Sequence, residues 1–307
     1  MITILGAGGA ISSELVKELT PRNEPIRLVS RNPKLLPGAA EAVAADLSNL
    51  DDTVRAVSGS RIAFLLVGLK YDITVWRALW PRIMRNAIEA TKRANVRLAF
   101  FDNVYMYGKV DGVMNEQTPF RPCSKKGELR AQIATMLLNE MKTGNLTALI
   151  ARSADFYGPR ARTGLPNVLV FDKLSMDAKA SWVVNDSAKH SFTFTPDAAR
   201  SLVLLADSES AWNQTWHVPT APDPPTRKQF IELVAKEFGT QSKYRVLARP
   251  MLWVAGWFDT TVRESYEMLY QYEFDYIFDS TKFTKTFGFQ PTLYAEGVRR
   301  TAQAYRQ

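Results

Sequence analysis

Short apolar runs alternate with amphipathic stretches through the first half of the chain. The runs are "MITIL" (1–5), "IRLVS" (26–30), "AVAAD" (42–46), "IAFLLV" (62–67), "VRLAFF" (96–101) and "LTALIAR" (146–152). They are continuous rather than alternating in polarity, which suits strands covered on both faces. Between them, "AISSELVKELT", "ITVWRALWPRIMRNAIEATKRA" and "KGELRAQIATMLLNEMKTG" repeat apolar residues at helical spacing. Pro81 inside the second stretch predicts a kink or a break there. Strands and helices in strict alternation predict an α/β fold, a doubly wound parallel sheet of the Rossmann type.

After residue 152 the rhythm gives way to irregular segments rich in Pro, Gly and aromatic residues, followed by helical stretches such as "RKQFIELVAKEFG" (227–239). This predicts a small C-terminal α+β lobe. "APDPPT" (221–226) reads as a turn that delivers a helix start, with Thr226 as its cap. The aromatic tail from Met251 to Asp279 carries Trp253, Trp257, Tyr266, Tyr270, Tyr272 and Tyr276 at mixed helical spacing and is expected to form mainly the core of that lobe. Trp76 and Trp80 mark either buried packing or a homodimer surface, with packing the preferred reading.

Composition adds limits. A chain of 307 residues with 46% hydrophobic residues has enough apolar surface for a large core. One cysteine, Cys123, excludes an internal disulfide, and two histidines without metal-ligand spacing point to no metal. The net charge of +8 is scattered, as in Arg77, Arg82, Arg85, Lys92 and Arg93 along one helix, so a solvated face is expected and no nucleic-acid partner. The chain enters a strand at Ile2 with no basic leader, and the apolar stretch near Trp253 is too short to cross a bilayer, so no membrane partner and a cytoplasmic location are expected.

"ITILGAGGAISSEL" places Gly6, Gly8 and Gly9 directly after the first strand and at the start of a helix. A pyrophosphate must approach backbone N–H groups at a positive helix end, and a Cβ would block it. The residues predicted to hold a dinucleotide are therefore Gly6, Gly8 and Gly9, with Ala10 and Ile11 from the helix start. An acid that holds an adenosine ribose belongs at the end of the second strand, where this chain has Ser30 and Arg31. A hydroxyl and a guanidinium suit a 2′-phosphate, so NADP is expected in preference to NAD. Asp46 could accept from the adenine amino group, and Leu47, Val67 and Gly68 complete the predicted site.

Gly6 and Gly9, "AADL", "MYG" (106–108), "DFYGPR" (155–160), "FTFTPDAA" (192–199) and "TWHVPTAPDPPTRKQFIELVAKEFG" together resemble, in order, the landmarks of extended short-chain dehydrogenases, the NAD(P)-dependent epimerase/dehydratase family. The resemblance implies a Rossmann domain over 1–152, joined by a later segment near 186–220, a substrate lobe formed mainly by 153–307, and a small-molecule substrate in the cleft between them. The family's third glycine is Ser12 here, so helix and strand are expected to pack slightly farther apart.

The resemblance also implies a hydroxyl residue before the "VYG"-like segment and a Tyr–Lys pair four residues apart on the next helix, the lysine lowering the phenol's pKa. Tyr105 and Lys109 have that spacing but straddle Gly108 after a strand, where side chains four apart do not meet. On the helix itself Lys125 and Lys126 are preceded at that distance by Arg121 and Pro122, and no tyrosine lies between 108 and 156. Asn103 stands in the hydroxyl position. The expected catalytic set is thus non-standard: Tyr105 or Tyr71 as acid, with Asn103 and Lys126 as helpers. Three readings follow: an NADP-dependent oxidoreductase or epimerase on a small carbonyl, alcohol or sugar-type substrate, a non-catalytic dinucleotide sensor, or an interaction module with a degenerate cofactor site. Arg160 and Arg162 could meet an anionic substrate.

Overall fold

A computed structural model describes residues 1–306. Seven strands form the central sheet: β1 (Ile2–Leu5), β2 (Ile26–Ser30), β3 (Glu41–Ala44), β4 (Ile62–Leu65), β5 (Arg97–Asp102), β6 (Ala148–Arg152) and β7 (Thr215–His217). All are parallel, in the order β7-β6-β5-β4-β1-β2-β3. The strand order reverses between β1 and β4, and a doubly wound sheet opens its ligand crevice at such a reversal, beyond the carboxyl ends of the strands.

Strand alternation divides the core. Ile2 and Ile4 face α1 (Ala10–Leu19) and α5 (Thr195–Asp207), whereas Leu5, Leu65 and Phe100 face α2 (Leu50–Val57), α3 (Ile73–Ala94) and α4 (Lys125–Thr143). Thr3, a polar residue in a fully covered strand, is satisfied by the Ser60 hydroxyl at 2.6 Å. The α3 helix runs unbroken through Pro81. The N–H that proline lacks would have met the Arg77 carbonyl, and Arg77 lies on the exposed side, where water can take its place. Asp72 caps this helix by accepting from the N–H of Thr74 at 2.9 Å.

The chain leaves the sheet after β6 and returns to it: α5 packs on α1, β7 pairs with β6, and Phe283 and Phe289 join the same core. The remaining segments form a second core around Tyr157, Phe171, Trp182, Phe192, Phe230 and Tyr272. Its α6 helix (Arg227–Phe238) begins with a reciprocal cap, Thr226 accepting from Gln229 N–H and Gln229 from Thr226 N–H. The lobe also contains α7 (Tyr294–Tyr305) and short parallel strand pairs. Trp76 and Trp80 are buried, as the preferred reading expected. The aromatic tail divides: Tyr272 and Tyr276 are core, but Trp253 and Trp257 are 52% and 63% exposed, on and just after the short helix Arg249–Ala255, whose buried contact is made by Leu252 instead. Among the described residues no helix is long and apolar enough to cross a membrane.

Candidate active site

The glycine turn sits at the carboxyl end of β1. Gly6 has φ +96°, and a Cβ there would lie 2.7 Å from the Val67 backbone, so only glycine lets the turn pass against the segment that follows β4. Gly8, at φ +105°, and Gly9, with ordinary extended backbone, both leave open space: nothing lies within 4 Å of where a Cβ would be. That open space faces the start of α1, where Gly9 is the N-cap and no side chain caps the helix. The first-turn N–H groups, including those of Ala10 and Ile11, have no acceptor within the helix and define a positive cradle. Ser12 fits the third glycine position by folding its hydroxyl back on the turn, accepting from Gly8 N–H at 3.0 Å and donating to the Gly9 carbonyl at 2.9 Å.

A cleft of about 1260 Å³ begins at this cradle and runs between the two lobes. Ala10, Ile11, Ser30, Arg31, Asp46, Leu47, Val67 and Gly68 line it together with the three glycines, so the structure gathers all of the predicted dinucleotide residues around one cleft. Arg31 is exposed and forms no ion pair with any described residue. The Asp46 carboxylate caps its own turn, accepting from Ser48 N–H at 2.9 Å. An open anion cradle at a helix start, beside a free guanidinium, fits a nicotinamide dinucleotide. Among the described residues no group of three or more His, Cys, Asp or Glu side chains is placed to hold a metal ion.

Farther along the cleft lie Asn103, Tyr105 and Tyr71. Asn103 Oδ1 accepts from Tyr105 N–H at 3.1 Å and so shapes the turn Tyr105–Tyr107. The Tyr105 ring stacks on Trp76, with centroids 6.5 Å apart, and Tyr71 meets Trp76 edge-on at 5.5 Å. Burial pushes the pKa of both phenols up, and the nearby Asp155 charge adds to the rise. Lys109 is remote from Tyr105 chemistry: its ammonium lies 4.0 Å over the Phe274 ring.

Lys126 departs from its expected role as a helper. Its side chain is 1% exposed, outside the cleft lining, and donates to the Glu264 carbonyl at 2.8 Å, Glu264 Oε2 at 2.7 Å and Glu267 Oε1 at 3.0 Å. All three N–H groups are used, so none remains for a phenolate. The α4 cation that does reach the cleft is Arg130, one turn farther along the helix, whose Nε donates to Asp102 Oδ1 at 2.8 Å. Gly127 permits this approach, because a Cβ would sit 2.6 Å from the Tyr105 carbonyl. The Lys126–Arg130 spacing, with Gly127 between, was the available sequence signal for Arg130.

Asp155 is the second residue that sequence reasoning missed as site chemistry. It lines the cleft, and its Oδ2 accepts from Tyr272 Oη at 2.8 Å and from His190 Nε2 at 3.1 Å. These donors hold its pKa below the usual carboxylate value despite burial, which acts in the opposite direction.

Residues 2–218 match the model of the NAD dependent epimerase/dehydratase family. The chain belongs to that family. No curated protein matches its sequence. Solved structures match over essentially the whole chain. The dTDP-glucose 4,6-dehydratase DesIV of Streptomyces venezuelae, a double mutant with NAD and DAU bound, is 17% identical, with a TM-score of 0.81, 100% of this chain and 97% of that chain covered. The UDP-glucose 4-epimerase of Thermus thermophilus in complex with NAD is 18% identical, with a TM-score of 0.79 and coverage of 99% and 98%. The UDP-glucose 4-epimerase of Thermotoga maritima, solved with UDP-glucose, is 17% identical, with a TM-score of 0.80 and the same coverage of 99% and 98%. At these identities the likeness establishes a shared fold. As a family member the chain has a Rossmann-type dinucleotide domain, and its cradle supplies the matching geometry.

Proposed function

We propose that this epimerase/dehydratase family member is an NADP-preferring oxidoreductase or epimerase acting on a small carbonyl, alcohol or sugar-type substrate through a non-standard site. The observation that carries the reading is the cleft that the open Gly8–Gly9 cradle and the unpaired Arg31 guanidinium both line. Ala10 and Ile11 N–H groups would hold the pyrophosphate, Ser30 and Arg31 a 2′-phosphate, and Val67 and Gly68 the linking ribose side of the cleft. A bound nicotinamide supplies hydride exchange with a substrate carbon.

The chain's own contribution is positioning and a proton. With Lys126 committed to Glu264 and Glu267, Tyr105 stays protonated near neutral pH and serves as a hydrogen-bond donor to a substrate oxygen. Tyr71 stands beside it, and Trp76 excludes water from their rings. Arg130, fixed by Asp102, takes the cationic place that Lys126 leaves. The non-catalytic sensor reading is favoured by the absence of the usual tyrosine from α4, but the water-excluding aromatic wall around Tyr105 favours an enzyme.

Parallel calorimetric titration with NADP and NAD tests the cofactor assignment. Arg31→Ala is expected to weaken NADP by at least about tenfold, the value of one charge-assisted contact, while leaving NAD nearly unchanged. Equal losses would remove the 2′-phosphate assignment.

A further inference from the structure

The Asp155 carboxylate is held on one oxygen and open on the other. Arg227 Nη2 lies 3.1 Å from His190 Nδ1. A guanidinium only donates, so Nδ1 accepts and the ring proton resides on Nε2, directed at Asp155 Oδ2. Burial keeps His190 neutral by lowering its pKa, while Arg227, lowered to about 10, remains a cation. The Arg227 charge therefore balances Asp155 through a neutral imidazole, and the assembly has no need of a further cation. Asp155 Oδ1, in contrast, accepts no hydrogen bond from any described residue, although Asp155 forms part of the cleft wall.

The surroundings of Oδ1 are poor in positive charge. The cations on the cleft wall are Arg31, Lys70, Arg130 and Arg162. Arg31 stands with the dinucleotide residues, Lys70 is 74% exposed beside Asp72, and Arg130 is engaged by Asp102, which leaves only the exposed Arg162 on the substrate-lobe side. The rest of that side is largely apolar, with Leu165, Val168, Leu169, Leu252, Val262 and Leu269. A doubly charged diphosphate would meet one exposed guanidinium and two acceptor-only carboxylates of its own sign, Asp155 and the helix-capping Asp259.

We propose that Asp155 determines specificity in this cleft: its Oδ1 accepts from a hydroxyl of an uncharged hydroxylated substrate and excludes nucleoside diphosphate sugars. The inference deepens the proposed function and rests on it for the placement of substrate in the cleft. Asp155→Asn keeps the shape and replaces a repelling oxygen or its partner with an N–H donor, and Asp155→Ser removes the charge with a smaller side chain should the first variant fold poorly.

The test is calorimetric titration of wild type and both variants with UDP-glucose, in the presence of NADP, after NADP binding has been measured separately. UDP-glucose is expected to bind at least one folded variant about tenfold or more tighter than wild type, a change of about 1.4 kcal/mol. Binding to wild type as tight as to the variants, or no binding by any of them, would overturn the role of Asp155 as the barrier. NADP binding reports on the dinucleotide reading alone, so failure of that reading is distinguishable from failure of this one.

Discussion

The Lys126 ammonium lies 4.8 Å from the centre of the Tyr71 ring yet directs all three N–H groups to Glu264 and Glu267. It ties the start of α4 to the segment 260–272 of the second lobe. Removing one partner of a buried ion pair leaves an uncompensated charge and typically costs about 3–5 kcal/mol. Lys126→Met is therefore expected to lower the unfolding midpoint clearly while changing dinucleotide affinity by less than about twofold. A large loss of affinity with unchanged stability would return Lys126 to the site.

In the proposed function Tyr105 is the proton donor in the cleft. Its ring is anchored on Trp76, so Tyr105→Phe is expected to preserve the fold and NADP affinity and to lower turnover by about 10²–10⁴-fold, the usual share of a proton-transfer group. Turnover within twofold of wild type would assign the acid to Tyr71 instead.

Much of the fold was legible because doubly covered strands write themselves as continuous apolar runs. The β2 strand matches its predicted bounds, and the Thr226 cap formed as its sequence implied. The α2 helix was not foreseen: "LDDTVRAV" is polar on much of its surface and short, and its start is signalled mainly by the Asn49 cap. Pro81 does not break its helix, because the carbonyl left without a partner faces water. In the site, the glycine turn was readable since it is one local strand–turn–helix pattern. The remainder depends on residues far apart in sequence: Glu264 and Glu267 claim Lys126, and Arg227 acts on Asp155 through His190. No local pattern encodes those encounters.

His217, on the edge strand β7, offers a test of the buried polar network beside the central sheet. Its Nδ1–H donates to the Asp279 carbonyl at 2.8 Å, and its Nε2 accepts from Tyr107 Oη, also at 2.8 Å. Burial, with Arg152 and Lys282 nearby, lowers its pKa to about 3. The folded protein therefore keeps it neutral where the unfolded chain, with a pKa near 6.5, takes up a proton. The stabilisation is complete above about pH 6.5 and is lost progressively as pH falls towards about 3. His217→Gln, which does not titrate, is expected to show a shallower fall in unfolding midpoint between pH 7.5 and pH 5 than wild type. Parallel falls would show that His217 is not a source of the acid sensitivity.

The central claim is that the Gly8–Gly9 cradle binds a dinucleotide, and Gly9→Val tests it most directly. No atom lies within 4 Å of the added Cβ position, so the variant should fold, at a cost of about 1 kcal/mol for a poorer N-cap, while filling the space a pyrophosphate needs. Calorimetric titration with NADP should show binding to wild type and a loss of about 100-fold or more in Gly9→Val, equivalent to about 2.7 kcal/mol. Equal affinity in the two proteins, or no binding to wild type, would contradict the account.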